Sequence, residues 1–464
     1  MKILRLMRVF TAGIALSWVI SPGAIAQDFG TGTDFVDYVR RTCGALSQLG
    51  EDRTSTQSDL FFRCNGALNA PGSSTDGLTG QADILDQYIG VQGISSQSDG
   101  LSRTNRADQF ISARLNVISG QMRSGQFADL LIDRPVLLAS TEPDTVELSS
   151  TRLSREGRWD GFASLGGFES EQDSTSDELG FEADGVWFAG GLDYSFSDRL
   201  IGGAALSYVD SSADFDGIGG LSSGGSTDTE SVSLSLYGSY LISEPFALNA
   251  WELNGLLSVG QSDFETSRVI SVVDKNGGGI NDAADGNFAT VNRTATSSTD
   301  ADTVQASLGA AYSMYYENGV SLTPSANLTY YYSEIGGFGE TGSNGLDLVF
   351  DDQEIDSLQA SIGANISRAV SADWGVLVPY ARGNAVFELQ DTAQTVRGRY
   401  TVATNQNDSF IVRTNDADEF VVDVAVGASA QFANGASAFA EYSTILGLEN
   451  VDHQAISVGV RFEF

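Results

Sequence analysis

The sequence predicts an all-β transmembrane barrel of about twelve antiparallel strands, with a small α-helical N-terminal domain before it. Three observations indicate this fold. Apolar residues alternate with small or polar ones through the second part of the chain, short and long connections follow one another in turn, and the last strand stays apolar on one face to its end. Alternation over about ten residues, apolar outward and polar inward, is typical of a barrel strand in a bilayer.

The residues from Gln454 onward show the alternation most clearly. One face of this segment carries Ile456, Val458, Val460, Phe462 and Phe464, with small or polar residues between them. A period of two is that of a β-strand. A strand of this kind that ends on an aromatic residue is the pattern of the closing strand of a membrane barrel.

The same alternation recurs from Trp159 onward. Apolar sets at alternate positions include Val186, Phe188 and Leu192, then Val232, Leu234 and Leu236, then Val422, Val424 and Val426. A soluble β-sandwich or a β-solenoid is the alternative. A sandwich rarely needs long strands with a small polar inner face, and no fixed short repeat supports a solenoid.

The connections between these strands alternate in length. Short turns are expected at 197–198, 243–245, 317–319, 371–373 and 434–435. Longer connections rich in Asp, Asn, Gly and Ser are expected at roughly 169–180, 212–228, 271–300, 334–353 and 390–409. Bacterial outer-membrane barrels have short periplasmic turns and longer extracellular loops, so the sequence predicts the bacterial outer membrane as the location.

Aromatic residues cluster near the predicted strand ends, as an interfacial girdle requires. They are Tyr194, Phe196, Tyr240, Phe246, Tyr330, Tyr332, Phe462 and Phe464.

Residues 1–26 predict a cleaved secretory signal peptide. Lys2, Arg5 and Arg8 precede an apolar run at 9–20, and Ala24-Ile25-Ala26 has the small-x-small pattern of a cleavage site. An uncleaved anchor helix is the alternative, but the apolar run is short for a bilayer span.

Residues 27–123 predict a helical N-terminal domain, either a short passenger or a plug, and 124–157 a linker to the barrel at 158–464. Two short helices are expected at 33–49 and 58–68, with Asp59 as a possible cap. They carry the two cysteines, Cys43 and Cys64. Because an exported chain meets an oxidising compartment, a disulfide between them is predicted, with two buried thiols as the alternative.

A locally basic stretch stands out in a chain with a formal net charge of -36. It contains Arg103, Arg106, Arg114 and Arg123, with Asp108 as its acidic residue. We hypothesise that a helix here, or the basic residues at 152–158, lies in an acidic barrel lumen, where a low dielectric strengthens the attraction. A solvated helix outside the lumen is the alternative.

The residue types of catalytic and metal sites are mostly missing. His453 is the one histidine, expected on a loop at the rim, and there is no nucleophile elbow, so no enzymatic activity and no cofactor are predicted. Asp274, Asn276 and Asp285 bear a weak likeness to a calcium loop. The strong negative charge argues against nucleic acid as a partner. Acidic outer loops suggest contact with lipopolysaccharide phosphates through divalent cations.

Residues from about 159 to 464 resemble the translocator domain of autotransporters, the type V secretion family. The resemblance is carried by Gly190-Gly191-Leu192-Asp193-Tyr194-Ser195-Phe196, Leu200-Ile201-Gly202-Gly203-Ala204, Leu377-Val378-Pro379-Tyr380-Ala381-Arg382 and the segment from Val458 to Phe464. It implies a barrel inserted by the outer-membrane assembly machinery, which reads Phe464 with Phe462. It also implies a helix threaded through the lumen and an N-terminal passenger outside.

The expected function is therefore an outer-membrane translocator, a monomeric barrel among lipids and lipopolysaccharide that displays or secretes a short N-terminal segment. The segment would lie outside the cell or in the lumen. It is shorter than a typical passenger, and a disulfide-closed element is awkward to thread through a pore. Two alternatives stay open: a plugged channel for small solutes, and an adhesin acting through acidic extracellular loops.

Overall fold

The computed structural model describes residues 31–61, 158–174, 180–217, 224–243, 249–274, 289–316, 318–390, 395–413, 418–432 and 435–463. Several predictions concern residues outside these ranges: the signal peptide, the linker at 124–157, the basic stretch containing Arg103, Arg106, Arg114 and Arg123, and Cys64, Asn276, Asp285 and Phe464. Among the described residues, no helix is long and apolar enough to cross a membrane.

Most of the described chain is β-strand. The strands, in chain order, are β1 (Trp159–Gln172), β2 (Phe181–Ser195), β3 (Leu200–Phe215), β4 (Gly225–Leu241), β5 (Ala250–Asp274), β6 (Ala289–Tyr315), β7 (Val320–Ile335), β8 (Phe338–Gly339), β9 (Leu348–Phe350), β10 (Gln353–Arg368), β11 (Val370–Ala372), β12 (Gly375–Glu388), β13 (Thr395–Tyr400), β14 (Phe410–Arg413), β15 (Phe420–Phe432), β16 (Ser437–Leu446) and β17 (Val451–Glu463).

Twelve of these strands close into an antiparallel barrel. Each wall strand pairs with its neighbours in sequence, β1 also pairs with β17, and β10 pairs with both β7 and β12. The first and last strands are therefore hydrogen-bonded along their length, from Asp160 opposite Glu463 to Gln172 opposite Val451. The predicted antiparallel barrel and its strand number are confirmed.

The two faces of the wall match the predicted alternation. Val186, Leu236 and Ile456 point outward, with exposures of 61, 56 and 60 %. Asp193, Ser235 and Arg461 point inward and are at most 2 % exposed. The outer face is therefore apolar and the lumen-facing side polar, the reverse of a soluble domain.

The apolar belt on the outer face has clear edges. At the short-turn end it begins with paired rings, Trp159 against Tyr194 and Trp251 against Tyr312, with centroids 4.8 and 4.9 Å apart. On β5 the belt runs from Trp251 to Val259, and polar residues follow at alternate positions beyond it. Nine residues of a tilted strand span roughly 20–25 Å, the height of the apolar band of an outer-membrane barrel.

The lumen-facing side contains large side chains as well as the small ones predicted. The indole of Trp187 lies over Gly166, where a Cβ would come within 2.6 Å of the ring, and Tyr237 covers Gly203 in the same way. Glycine at these positions lets an aromatic ring lie flat on the neighbouring strand, which fills part of the lumen wall.

Three predictions about the connections need correction. The connections at 334–353 and 390–409, for which no strands were predicted, contain short strands: β8 and β9 in the first, β13 and β14 in the second. The connection at 447–450, at the long-loop end, is short. The one at 271–300 is shorter than predicted, because β5 and β6 extend for 25 and 27 residues.

His453 was predicted on a loop, and this is wrong. It belongs to β17, faces inward and is 8 % exposed, with its ring centroid 6.1 Å from that of Phe168. Strand β17 begins three residues earlier than the apolar alternation indicates, at Val451, so the period of two places His453 on the lumen side.

The described N-terminal residues are helical. Helix α1 (Thr31–Gln48) agrees with the predicted helix at 33–49, a 3₁₀ turn follows at Gly50–Asp52, and 55–61 is helical. Thr54 and Gln57, not Asp59, form the N-terminal cap of this last segment. The Gln57 N–H donates to Thr54 Oγ1 at 3.2 Å and the Thr54 N–H to Gln57 Oε1 at 3.0 Å, a capping box.

The first and last strands share a buried ion pair that offers a test of closure. Arg461 Nη2 lies 2.8 Å from Asp160 Oδ2, with both side chains almost fully buried. Replacing Asp160 with Ala leaves a buried guanidinium without its carboxylate, and we expect a loss of about 3 kcal/mol in unfolding free energy. The measurement is the temperature at which the folded, fast-migrating form disappears on a semi-native gel.

Glu171→Gln is the matched control, because Glu171 is on the same strand but exposed on the outer face. Equal unfolding temperatures for the two variants would contradict a stabilising role for the pair.

Candidate functional site

Residues 31–61, which we name the cap, lie against a small sheet at the long-loop end of the barrel. This mouth sheet has the order β14-β13-β9-β8. Its strands come from two separate connections, β7 to β10 and β12 to β15, which join where Gly398 pairs with Phe350 and Tyr400 with Leu348. Three distant parts of the chain therefore meet at this end of the barrel.

The contact between the cap and the mouth sheet is an apolar core outside the apolar belt. From the cap it contains Tyr38, Val39, Cys43, Leu46 and Leu60, and from the barrel Ile270, Phe338, Leu346, Leu348, Phe350, Val396, Tyr400, Ala403 and Phe410. All of these side chains are buried. Burial on this scale makes the cap and the connections one packed unit.

Tyr38 lies at the centre of this core. Its ring stacks on Tyr400, with centroids 5.9 Å apart, and tilts against Phe410 at 5.4 Å. The Tyr400 backbone N–H donates to Tyr38 Oη at 2.9 Å. Burial raises the pKa of Tyr38, so its hydroxyl remains neutral. The hydrogen bond from Tyr400 satisfies the hydroxyl oxygen inside the apolar core.

Two arginine–carboxylate pairs flank the core. Arg293, on β6, contacts both carboxylate oxygens of Asp59, at 2.6 and 3.1 Å. Arg41, on α1, contacts both oxygens of Asp408 at 2.9 and 3.0 Å. Paired contacts of this kind fix orientation as well as attraction. The Arg293 pair is the better shielded, since its side chains are 18 and 11 % exposed against 49 and 24 %.

Below the cap, a third pair supports the mouth sheet from the barrel wall. Arg268 of β5 is fully buried and donates to Glu340 through Nε at 2.8 Å and through Nη2. Burial disfavours the charge of Arg268, but the Glu340 carboxylate outweighs it and the pKa of Arg268 is raised. The Leu348 N–H also donates to Glu340 Oε2, at 2.9 Å.

A tight turn between β8 and β9 receives the second helical segment of the cap. Asn344 and Gly345 both have positive φ, at 53° and 103°, and the Asn344 and Ser343 carbonyls accept from Arg293 Nη1 at 3.2 and 2.7 Å. A Cβ on Gly345 would lie 2.5 Å from the Thr56 carbonyl oxygen. Only glycine allows this close approach of the turn to the cap.

The predicted site residues are distributed as follows. Cys43 is buried in the cap core and disulfide-bonded, while its predicted partner Cys64 lies outside the described residues. Phe462 is outward-facing in β17 and 52 % exposed. Asp274 is the last residue of β5, and within the described ranges no group of three or more acidic, His or Cys side chains is arranged to hold a metal.

Sequence reasoning missed this site. Neither Tyr38 nor Arg293 was a candidate, and Asp59 was assigned to a helix cap. The apolar residues Leu346, Leu348 and Phe350 recur at alternate positions in the connection at 334–353, but β9 has only three residues, too few to indicate a strand from the sequence. No sequence feature links that strand to a helix some 300 positions earlier.

Gly345 offers a test of the docking geometry. Replacing it with Ala introduces both a strained positive φ and a clash with Thr56, and strain of this kind costs about 1–3 kcal/mol. We therefore expect the cap to detach, and trypsin to cut at Arg40 and Arg41 at least tenfold faster. Mass spectrometry of the purified protein during limited proteolysis measures these cuts.

Gly447→Ala is the matched control. Gly447 has a similar φ of 85° at the same end of the barrel, but its nearest atoms belong to Phe420 and Val421, 3.8 and 4.0 Å from an added Cβ. Equal cutting rates in the two variants would contradict a specific contact between the turn and the cap.

Comparison with known proteins identifies the barrel. Residues 161–443, more than half of the chain, match the family model of the autotransporter β-domain. No curated protein sequence matches the chain.

Among solved structures, the translocator domain of NalP from Neisseria meningitidis is 18 % identical, covering 74 % of this chain and 97 % of that one, with a TM-score of 0.48. The β-domain of BrkA from Bordetella is 15 % identical, covering 66 and 100 %, with a TM-score of 0.43. The transport unit of AIDA-I from Escherichia coli is 11 % identical, covering 69 and 93 %, with a TM-score of 0.45. From the match to the family model, the protein belongs to the autotransporter family, whose β-domain is a translocator barrel of the bacterial outer membrane.

Proposed function

We propose that this translocator displays its own N-terminal segment, with the cap outside the cell over the barrel mouth and the connecting chain passing through the lumen. The observation that carries the proposal is the position of the two ends of that connection. The cap lies against connections of the long-loop end, and Arg158 lies at the short-turn end, where its carbonyl accepts from the Ser195 N–H at 3.0 Å.

In bacterial outer-membrane barrels the long loops are extracellular and the short turns periplasmic. The chain that joins the cap to β1 must therefore cross the thickness of the membrane. A lipid-exposed helix would need about 20 consecutive apolar residues, and the sequence between 61 and 158 has no such run. Any other lipid-exposed route would leave backbone groups without hydrogen bonds, at several kcal/mol each. The lumen is the route that avoids this cost.

The length of the connection is sufficient for such a route. Strand β1 has 14 residues, or about 46 Å along its axis, which a helix of roughly 30 residues matches. The connection between 61 and 158 is much longer. The inner wall carries the carboxylates of Asp193 and Glu252, which would attract the basic stretch from Arg103 to Arg123. This supports the stretch as the lumen element.

We propose lipopolysaccharide as the lipid partner on the outer leaflet. Beyond the apolar belt, exposed carboxylates stand directly opposite one another across strands: Asp210 and Glu230, Asp263 and Asp300, and Glu334 and Glu354. Opposed like charges destabilise a sheet. Divalent cations shared with lipid phosphates would relieve the repulsion and tie the barrel to its surroundings.

The remaining parts of the proposal concern insertion and activity. We propose that the barrel assembly machinery inserts this protein and recognises Phe462 and Phe464. We also propose that the barrel is monomeric and has no enzymatic activity. A channel for small solutes is not favoured, because Asp59 of the cap pairs with Arg293 of β6, on the inner side of the rim, and the cap shares its apolar core with Ile270 of β5.

Cysteine labelling on intact cells tests the display arrangement. Arg40→Cys places a thiol on the exposed side of α1, and Arg368→Cys places one at the short-turn end of β10. With a membrane-impermeant maleimide, we expect Arg40→Cys to label at once and Arg368→Cys only after the outer membrane is opened. The native Cys43 stays unlabelled, because it is buried and disulfide-bonded.

A third variant, Arg114→Cys, tests the lumen route. We expect it to resist labelling from both sides of the membrane until the barrel is unfolded. Labelling of Arg40→Cys only after the membrane is opened would contradict display, and ready labelling of Arg114→Cys from the periplasm would contradict the route.

A further inference from the structure

We propose that the cap is held at the mouth by its own non-covalent contacts, so that it stays bound when the chain connecting it to the barrel is cut. On this view the mouth sheet is a binding surface whose ligand is a short helical segment, and that ligand is residues 31–61 of this chain. The inference rests on the proposed function in one respect, the position of the cap at the long-loop end of the barrel. It does not depend on the route of the connection.

The first argument is the composition of the interface. A tyrosine lies at the centre, with Tyr38 fully buried between Tyr400 and Phe410, and Leu46 and Leu60 bury completely beside it. Buried aromatic anchors surrounded by apolar side chains are the residues that dominate binding energy in protein interfaces. If the cap left, the hydrogen bond from the Tyr400 N–H to Tyr38 Oη would be lost.

The second argument is the arrangement of charge. The ion pairs lie at opposite parts of the cap, with Arg41 on α1 and Asp59 on the second helical segment. Arg293 binds Asp59 and, at the same time, two carbonyls of the turn, at Ser343 and Asn344. It therefore joins the barrel wall, the mouth sheet and the cap. Charge pairs of this kind, shielded from water, slow dissociation.

The third argument is shape. The turn at Gly345 fits the Thr56 backbone, and Gln57 Nε2 donates to the Val402 carbonyl at 3.4 Å on the other side of the same segment. Within the cap, Arg53 donates to the Leu46 carbonyl at 3.1 Å and lies 4.1 Å from the Phe61 ring centroid. Because both contacts lie within the cap and do not involve the barrel, they restrict the arrangements open to the two helical segments, which lowers the entropic cost of binding.

The fourth argument is the apolar surface that release of the cap would expose. Without the cap, Phe350, Tyr400 and Phe410 would face water at the outermost end of the barrel, next to one another. A contiguous apolar patch of this kind is unfavourable on an exposed surface and is characteristic of an occupied interface.

The experiment uses the full chain, purified in detergent micelles. A site-specific protease sequence with Gly-Ser spacers is inserted between Gly72 and Ser73, so that both cysteines remain on the N-terminal fragment. After cleavage, verified on a denaturing gel, size-exclusion chromatography shows whether the fragment elutes with the barrel. We expect it to remain with the barrel.

Asp59→Arg places a second cation against Arg293, and we expect release of the fragment at least about tenfold faster than from the unsubstituted protein. Asp37→Arg is the matched control, because Asp37 is also in the cap but is exposed and pairs with Arg40 of the same helix, at 3.0 Å. The mobility of the folded barrel on a semi-native gel checks that neither substitution disturbs the wall.

Loss of the unsubstituted fragment after cleavage would overturn the proposal. Equal retention in Asp59→Arg and Asp37→Arg would also overturn it, since retention would then not depend on this interface. Failure of surface display would appear separately, in the labelling of intact cells, and leaves the result on purified protein unchanged.

Discussion

Every backbone group that enters lipid must find its hydrogen-bond partner within the protein, and this requirement explains most of the structure. Twelve strands satisfy it only as a closed ring, so β1 must meet β17 and β12 must meet β10. Closure fixes which side of each strand faces lipid. It also places the start of β1 and the end of β17 together at the short-turn end, and gathers the long connections at the other.

The cap lies at the long-loop end of the barrel, outside the apolar belt. Connections at the long-loop end are released from the lipid constraint, and two of them form a second sheet with its own apolar core. The protein therefore has two kinds of interior. In the wall, polar and small residues face inward and ion pairs such as Asp160–Arg461 lie between strands, whereas above the wall an ordinary apolar core is sealed by Arg293 and Arg41.

How well the sequence predicts each part of the fold depends on how far apart the interacting residues lie along the chain. Ile456 and Leu236 were correctly placed on the outer face, because a period of two is a local property that lipid makes strict. The pairing of Tyr38 with Tyr400 joins residues 362 positions apart, and the alternation that reveals strands carries no information on such contacts. His453 was misplaced because the apolar signal fades near a strand end, where the outward position holds Asp452 rather than an apolar residue. The mouth sheet was missed because β8, β9 and β14 have two, three and four residues, too few to show a period.

The unusual length of β5 and β6 has a consequence for what the cap can meet. Ile270, which belongs to the apolar core shared with the cap, is eleven positions beyond Val259, the last apolar residue of the outer belt on β5. At about 3.3 Å per residue and a strand tilt near 40°, that distance raises the docking surface roughly 25–30 Å above the hydrocarbon edge. In the display arrangement proposed above, these two strands would hold the cap beyond the lipid headgroups, at the level of the lipopolysaccharide sugars. The cap would then be within reach of molecules too large to approach the bilayer itself.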